Sequence, residues 1–166
     1  MRKLAVAAVL GGLVLMATPG YAVAETSTNQ RFTIVSVNEG PGTVIASGAL
    51  TAVGTEADNR DQVPPGSPFQ GSYSFPQGAL FVTVAGAGRP QVQFDPSTCV
   101  TRLTIIDTSR ITGGTGAFAG ASGSSTDTVH VTTIGGRSDD GQCLGPQSPP
   151  LFELSIIQTA GTLTLP

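Results

Sequence analysis

Few side chains in this sequence are of a kind that does chemistry, and their surroundings narrow what they can do. His130 is the one imidazole in the chain. It stands between Val129 and Val131 in an alternating run, so if those valines fill a core the ring points outward, away from the position of a general base. Glu153 stands in the same way between Phe152 and Leu154 and is expected on an outer or subunit-facing surface. No G-x-S-x-G elbow occurs, and Gly120-Ala121-Ser122-Gly123 does not supply one, which speaks against nucleophilic hydrolysis. Glu56, Asp58, Asn59 and Asp61 gather hard oxygen ligands of the type calcium takes, but without the spacing of an EF-hand loop; a merely solvated acidic loop is the other reading. Arg102 and Arg110 are expected to pair with Asp107 or Asp95 at the surface, or to orient a ligand's carbonyl or carboxylate.

The densest feature is ITGGTGAFAGASGS, Ile111 to Ser124, which holds Gly113, Gly114, Gly116, Gly120 and Gly123 out of 22 glycines in the chain. Gly114 to Ala119 satisfies G-x-G-x-x-A, yet a dinucleotide fingerprint must open a helix on a parallel sheet. The residues that follow, Gly120 to Ser125, have poor helix propensity and lead into a β-branched run. No phosphate-binding G-x-x-x-x-G-K-[ST] exists either. The physical reading is structural: the first three glycines permit tight bends, Phe118 anchors between them in a core, and Gly120 and Gly123 let the next strand coil.

The elements that must position these residues follow from composition. Arg2-Lys3, the apolar run Leu4–Ala17 and the Ala22-Val23-Ala24 site read as a secretory leader, residues 1–24, too short in its apolar part for a comfortable membrane span. The remaining chain of about 140 residues is one domain, 31–166, preceded by a flexible lead-in, 25–30. Of eight Lys and Arg, Arg2 and Lys3 leave with the leader, so acids outnumber bases eleven to six and no lysine remains. That excludes a Schiff-base lysine and a basic stripe for nucleic acid, and no cofactor is expected. The mature protein is expected to be secreted, with no membrane partner. Cys99 and Cys143 pair most naturally as a disulfide in an oxidising compartment, stabilising by about 4 kcal/mol on the chain-entropy model. Metal ligation and a reactive thiol are the competing readings; one histidine and no C-x-x-C argue against both.

Strand-like runs span 31–37, 43–52, 79–85, 91–94, 100–107, 126–134, 151–159 and 162–165, with Gly, Pro, Asn and Asp between them. Residues 56–68 and 135–150 read as proline-containing loops. Leu80, Val82 and Val84 share a face, as do Val129 and Val131, and Phe152, Leu154 and Ile156. The fold class is all-β, and about eight strands without crossover helices fit a closed antiparallel barrel or a sandwich.

The pattern I-T-G-G-T-G-x-F-x-x-A-x-G at Ile111–Gly123, with a strand leading in from Cys99 and another leaving through Thr126–Ile134, resembles the hallmark of the allene oxide cyclase and dirigent-protein barrel superfamily. The resemblance covers about 25 residues, Leu103 to Asp127, with only strand count and length agreeing elsewhere. It implies a closed, roughly eight-stranded antiparallel barrel, often trimeric, whose apolar lumen holds a small lipid-derived or phenolic molecule and guides its cyclisation or coupling. Many exported bacterial relatives have no assigned activity. Plant dirigent proteins carry an early aspartate, whereas residues 32–52 here hold only Glu39, in a turn-like segment, so no catalytic residue is carried over. Tyr73, Phe75, Phe94 and Phe118 are the candidates to line a ligand cavity; as core they would fill a small barrel completely. Two functions therefore stay open. One is an exported barrel that binds a small apolar molecule and, if an enzyme, acts as a cyclase-like isomerase or in a dirigent manner. The other is a non-enzymatic structural or interaction barrel with a filled lumen. Phe81 and Ile157, expected to be outward and apolar, would suit a trimer or dimer interface.

Overall fold

The computed structural model describes residues 27–64, 66–85, 88–145 and 148–166. The expected leader, residues 1–24, lies outside them. Nine strands follow in chain order: β1 (Thr28–Val37), β2 (Gly42–Gly48), β3 (Ala52–Asp58), β4 (Phe69–Phe75), β5 (Gly78–Val84), β6 (Gln91–Asp95), β7 (Val100–Gly114), β8 (Ser122–Ile134) and β9 (Phe152–Thr164). Each of β1 to β4 pairs antiparallel with the next, β7 pairs with β8 and β8 with β9. β9 returns to β1, and β5 joins the C-terminal half of β7, so eight strands close into a barrel. β6 is the extra strand, laid on the N-terminal half of β7 that β5 leaves free. Closure removes the unpaired edges that an open sheet of this length would present.

β7 and β8 run further toward the glycine motif than the expected 100–107 and 126–134, β3 enters the expected loop 56–68, and four other boundary differences each have a local reason. Residues 43–52 are two strands, because Gly48 takes a positive φ and buried Leu50 turns the chain back. β4 emerges from a stretch whose Gly71, Ser72 and Ser74 look like turn residues. The two runs expected at 151–159 and 162–165 form one unbroken strand, Phe152–Thr164, with Gly161 pressed against the Ser124 carbonyl of β8. β1 begins at Thr28, inside the expected flexible lead-in. The buried Gln30 side chain holds it there, accepting from Leu50 N at 2.8 Å and donating to Leu50 O at 3.2 Å.

The interior faces are set by register. Phe32 and Ile34, Val44 and Ala46, Tyr73 and Phe75, Leu80 and Val82, Ser109 and Ile111, and Asp127 and Val129 are all buried. β9 corrects the expected face. Ser155, Thr159 and Leu163 are buried and Ile157 packs on the core, whereas Phe152 is exposed and Leu154 and Ile156 follow its parity outward. The strand has apolar residues on both faces, and the ladders decide: Ile157 sits opposite Ile34 on β1 and Val129 on β8. Ile157 is thus not an outer-surface residue, although Phe81 is.

One end of the barrel is solid. The glycine-rich motif ends β7, makes a single 3₁₀ turn at Gly116–Phe118 and starts β8, antiparallel throughout. Gly116 has φ +58°, and a Cβ on Gly114 would collide with the Ala79 carbonyl and with Phe118. These close approaches let Phe118 drop into the end of the barrel, where its ring meets Phe75 edge-on at 5.9 Å. Leu80, Leu163, Ala121 and Ile111 complete the same cluster. Cys99 and Cys143 form a disulfide with Cα atoms 5.5 Å apart, tying the turn before β7 to the loop after β8. No helix among the described residues is long and apolar enough to cross a membrane. Phe118→Ala is expected to lower unfolding free energy by about 3–5 kcal/mol, read from the urea midpoint, because the rigid glycine turn cannot collapse into the void.

Candidate functional site

Opposite the solid end, the lumen opens into a cavity of about 470 Å³. Its apolar wall is built from inward positions on six strands: Ile34, Tyr73, Val82 and Val84, Ile105, Val129 and Ile157. Tyr73 packs on Phe32 with ring centroids 5.1 Å apart, so the aromatic pair separates the cavity from the plug. The connection between β3 and β4, with Arg60, Asp61, Val63, Pro64 and Ser67, forms the rim.

Four carboxylates enter this apolar space on strand positions of the inward row. Glu56 and Asp58 come from β3, Asp107 from β7 and Asp127 from β8. Asp107 and Asp127 are direct register partners, so two like charges face one another across adjacent strands, an unfavourable pairing in itself. Asp127 is only 4% exposed and takes one long hydrogen bond, from Ser125 Oγ at 3.3 Å. Asp107 Oδ1 is shielded from solvent and has no partner among the described residues.

The electrostatics follow from crowding and desolvation. Burial pushes the Glu56 carboxyl up to about 7, helped by a hydrogen bond shared with Asp58 and by that residue's charge, with Arg60 opposing. Gly42, opposite Glu56 on β2, leaves room for the carboxyl where a Cβ would stand 2.8 Å from Oε2. Burial likewise raises Asp107, with the Asp127 charge adding to it and a backbone hydrogen bond from Gly88 opposing. The Tyr73 phenol is raised by burial first and then by Asp127, Glu56 and Asp58 around it, so it stays protonated. A protonated phenol and a carboxyl poised near neutrality can donate and accept protons at one wall of an otherwise apolar cup.

Arg60 closes one side of the mouth. Its Nη2 donates to Asp58 Oδ2 at 2.8 Å, and its guanidinium lies 5.0 Å from the centre of the Phe69 ring. Asn59 serves the backbone, accepting from Gln70 N at 2.8 Å. The acidic segment thus spends Asn59 and Asp58 on protein partners, and among the described residues no three His, Cys, Asp or Glu side chains converge as a metal would require.

The sequence candidates are dispersed. Tyr73 lines the cavity; Phe75 and Phe118 lie in the plug, filled in by the glycine motif. Phe94 is on β6, outside the barrel and 55% exposed, because β6 is the strand that closure leaves over. His130 is exposed, its Nδ1 3.3 Å from Thr104 Oγ1. Glu153 is half-buried at the inward parity of Ser155, and burial raises its carboxyl. Arg102 and Arg110 are exposed and pair with neither aspartate: Asp107 faces inward, and Asp95 is held by Ser97 and Thr98 in the turn before Cys99, which keeps its carboxyl near 2. Asp127, Asp107 and Val84 were missed as lining residues. The alternation Asp127, Val129, Val131 carried the signal for the first of these. Compared with protein-family models, curated proteins and solved structures, the chain matches none.

The raised Glu56 carboxyl binds its proton more tightly in the folded than in the unfolded chain, whose ordinary value is 4.5. Its contribution is therefore complete below about pH 4.5 and is lost as pH rises through about 7. Glu56→Gln should flatten the fall in urea midpoint across that window relative to wild type. Equal slopes for the two proteins would contradict the assignment.

Proposed function

We propose that this chain is an exported barrel of the allene oxide cyclase and dirigent kind that binds a small, largely apolar molecule and guides its cyclisation or coupling. The observation that carries the reading is the cavity of about 470 Å³, within the range that holds a small ligand and walled mainly by aliphatic side chains and Tyr73. A lumen filled from end to end would favour a purely structural barrel, and that description fits only the plugged half around Phe75 and Phe118. The Cys99–Cys143 disulfide supports export to an oxidising compartment. The glycine motif supports the kinship through the turn it builds.

The chemistry open to such a cup is positioning and exclusion of water, with Tyr73 and Glu56 able to hand a proton to or take one from a polarised substrate oxygen. No nucleophile takes part. Reactions of that class are isomerisations or couplings in which the substrate supplies its own reactivity and the wall selects its conformation.

Native mass spectrometry of the protein recovered from the culture medium of its own host tests this. A co-purified small molecule is expected on wild type, together with a mature mass starting at Glu25. Ile105→Trp, which fills the cavity from β7, should lose the adduct while keeping the fold. A wild-type protein that never carries or accepts a small molecule, or equal occupancy in the filled variant, would overturn the reading.

A further inference from the structure

The cavity's carboxylates ask for a particular kind of guest. Taking the cavity as a binding site, we infer that its ligand is an organic cation, an apolar molecule bearing a protonated amine, held between the Asp107–Asp127 pair and the Tyr73 ring. Five acidic residues, Glu56, Asp58, Asp61, Asp107 and Asp127, line the space against the single cation Arg60. The barrel already displays the recognition chemistry at its own rim. There a carboxylate, Asp58, and an aromatic face, Phe69, hold a guanidinium from both sides. Deeper in, Asp107, Asp127 and Tyr73 present the same combination of carboxylate and ring, while the one lining cation, Arg60, is engaged by Asp58.

Asp127 is more than nine-tenths buried, faces the cavity and takes only the one long bond from Ser125. The Asp107 carboxylate takes a backbone hydrogen bond from Gly88, while its Oδ1, shielded from water, accepts nothing among the described residues. A buried, unpartnered acceptor such as Asp107 Oδ1 is costly, and two carboxylates on facing positions repel. An ammonium with up to three N–H donors satisfies both at once, and its charge removes the repulsion. The aliphatic wall of Ile34, Val82, Val84, Ile105, Val129 and Ile157 then covers the rest of the guest. A hydrated inorganic cation has no use for such a wall, and the acids do not converge in a metal-holding group. An anionic guest would add to the repulsion, with Arg60 already engaged by Asp58.

The test compares three molecules of one shape, 4-phenylbutylamine, 4-phenylbutanol and 4-phenylbutyrate, by calorimetric titration of the mature disulfide-bonded protein. The amine is expected to bind at least about tenfold more tightly than the alcohol, and the carboxylate most weakly. Asp127→Asn should bring amine and alcohol to within about threefold of one another while alcohol binding persists. Asp107→Asn, at a less buried position, gives the same readout if the first variant does not fold. Equal affinity of amine and alcohol in wild type would overturn the cation assignment and leave the apolar-cavity reading standing. Binding of none of the three would overturn both.

Discussion

The register of β9 is the constraint on which the interior depends. This strand is laddered along both edges, to β1 and to β8, and closes the cylinder between them. A slip of one residue on either edge would turn every side chain of the strand to the other face. The observed register places Ile157 between Ile34 and Val129 and brings Ser155 and Thr159 inward with it. The interior is therefore obliged to accept polar groups on β9. The Thr159 hydroxyl is buried without a partner among the described residues, directly opposite Asp127, as a consequence of the same ladder. What the strand gains in return is an aliphatic ring at the middle of the lumen and continuous pairing along thirteen residues.

Packing and polarity are separated along the barrel axis. At one end the glycine turn, Phe118 and Phe75 build a dry plug that behaves as an ordinary hydrophobic core. At the other, the rim between β3 and β4 keeps the lumen open, and the four strand-borne carboxylates of the cavity, Glu56, Asp58, Asp107 and Asp127, stand there. The division is physically reasonable because carboxyl groups near an opening retain partial hydration, whereas the same groups in the plug would suffer full desolvation. It also means that the motif most visible in the sequence stabilises the barrel and takes no direct part in the cavity.

Much of this was legible in the residues. Strand runs with Gly and Pro between them give the all-β class, and the glycine motif reads correctly as a bend with Phe118 as its anchor. Alternation places Val82 and Val129 inward and His130 outward, as found. The cavity was less legible, because its lining breaks the very pattern that betrays a buried face. β3 presents Ala52, Gly54, Glu56 and Asp58 inward, with no large apolar residue in the row, so the strand reads as a loop. On β9 the apolar residues at 152, 154 and 156 outnumber those of the correct face, and only pairing with distant strands resolves the tie. Aromatic type was also a poor guide to lining, since Phe94 lies on the one strand that closure excludes. Cavity walls are set by contacts far apart in the chain, and alternation carries no information about them.

The charge distribution follows from the same topology. Beyond residue 24 the chain has only six Lys or Arg residues, all arginine, and the outward positions of β7 take Arg102 and Arg110. Of the six, Arg60 alone lines the cavity, from the rim, and the inward strand rows carry only acids. Glu56 relieves part of the resulting repulsion by holding a proton near neutrality, and Asp107 is pushed the same way. The remaining imbalance is concentrated at Asp107 and Asp127, where β7 and β8 fix the carboxylates on paired backbones and neither can swing away to solvent without losing its strand position. A flexible loop would dissipate such repulsion. A closed ladder preserves it, and so holds the electrostatic field in the cavity at a fixed place and sign before anything enters.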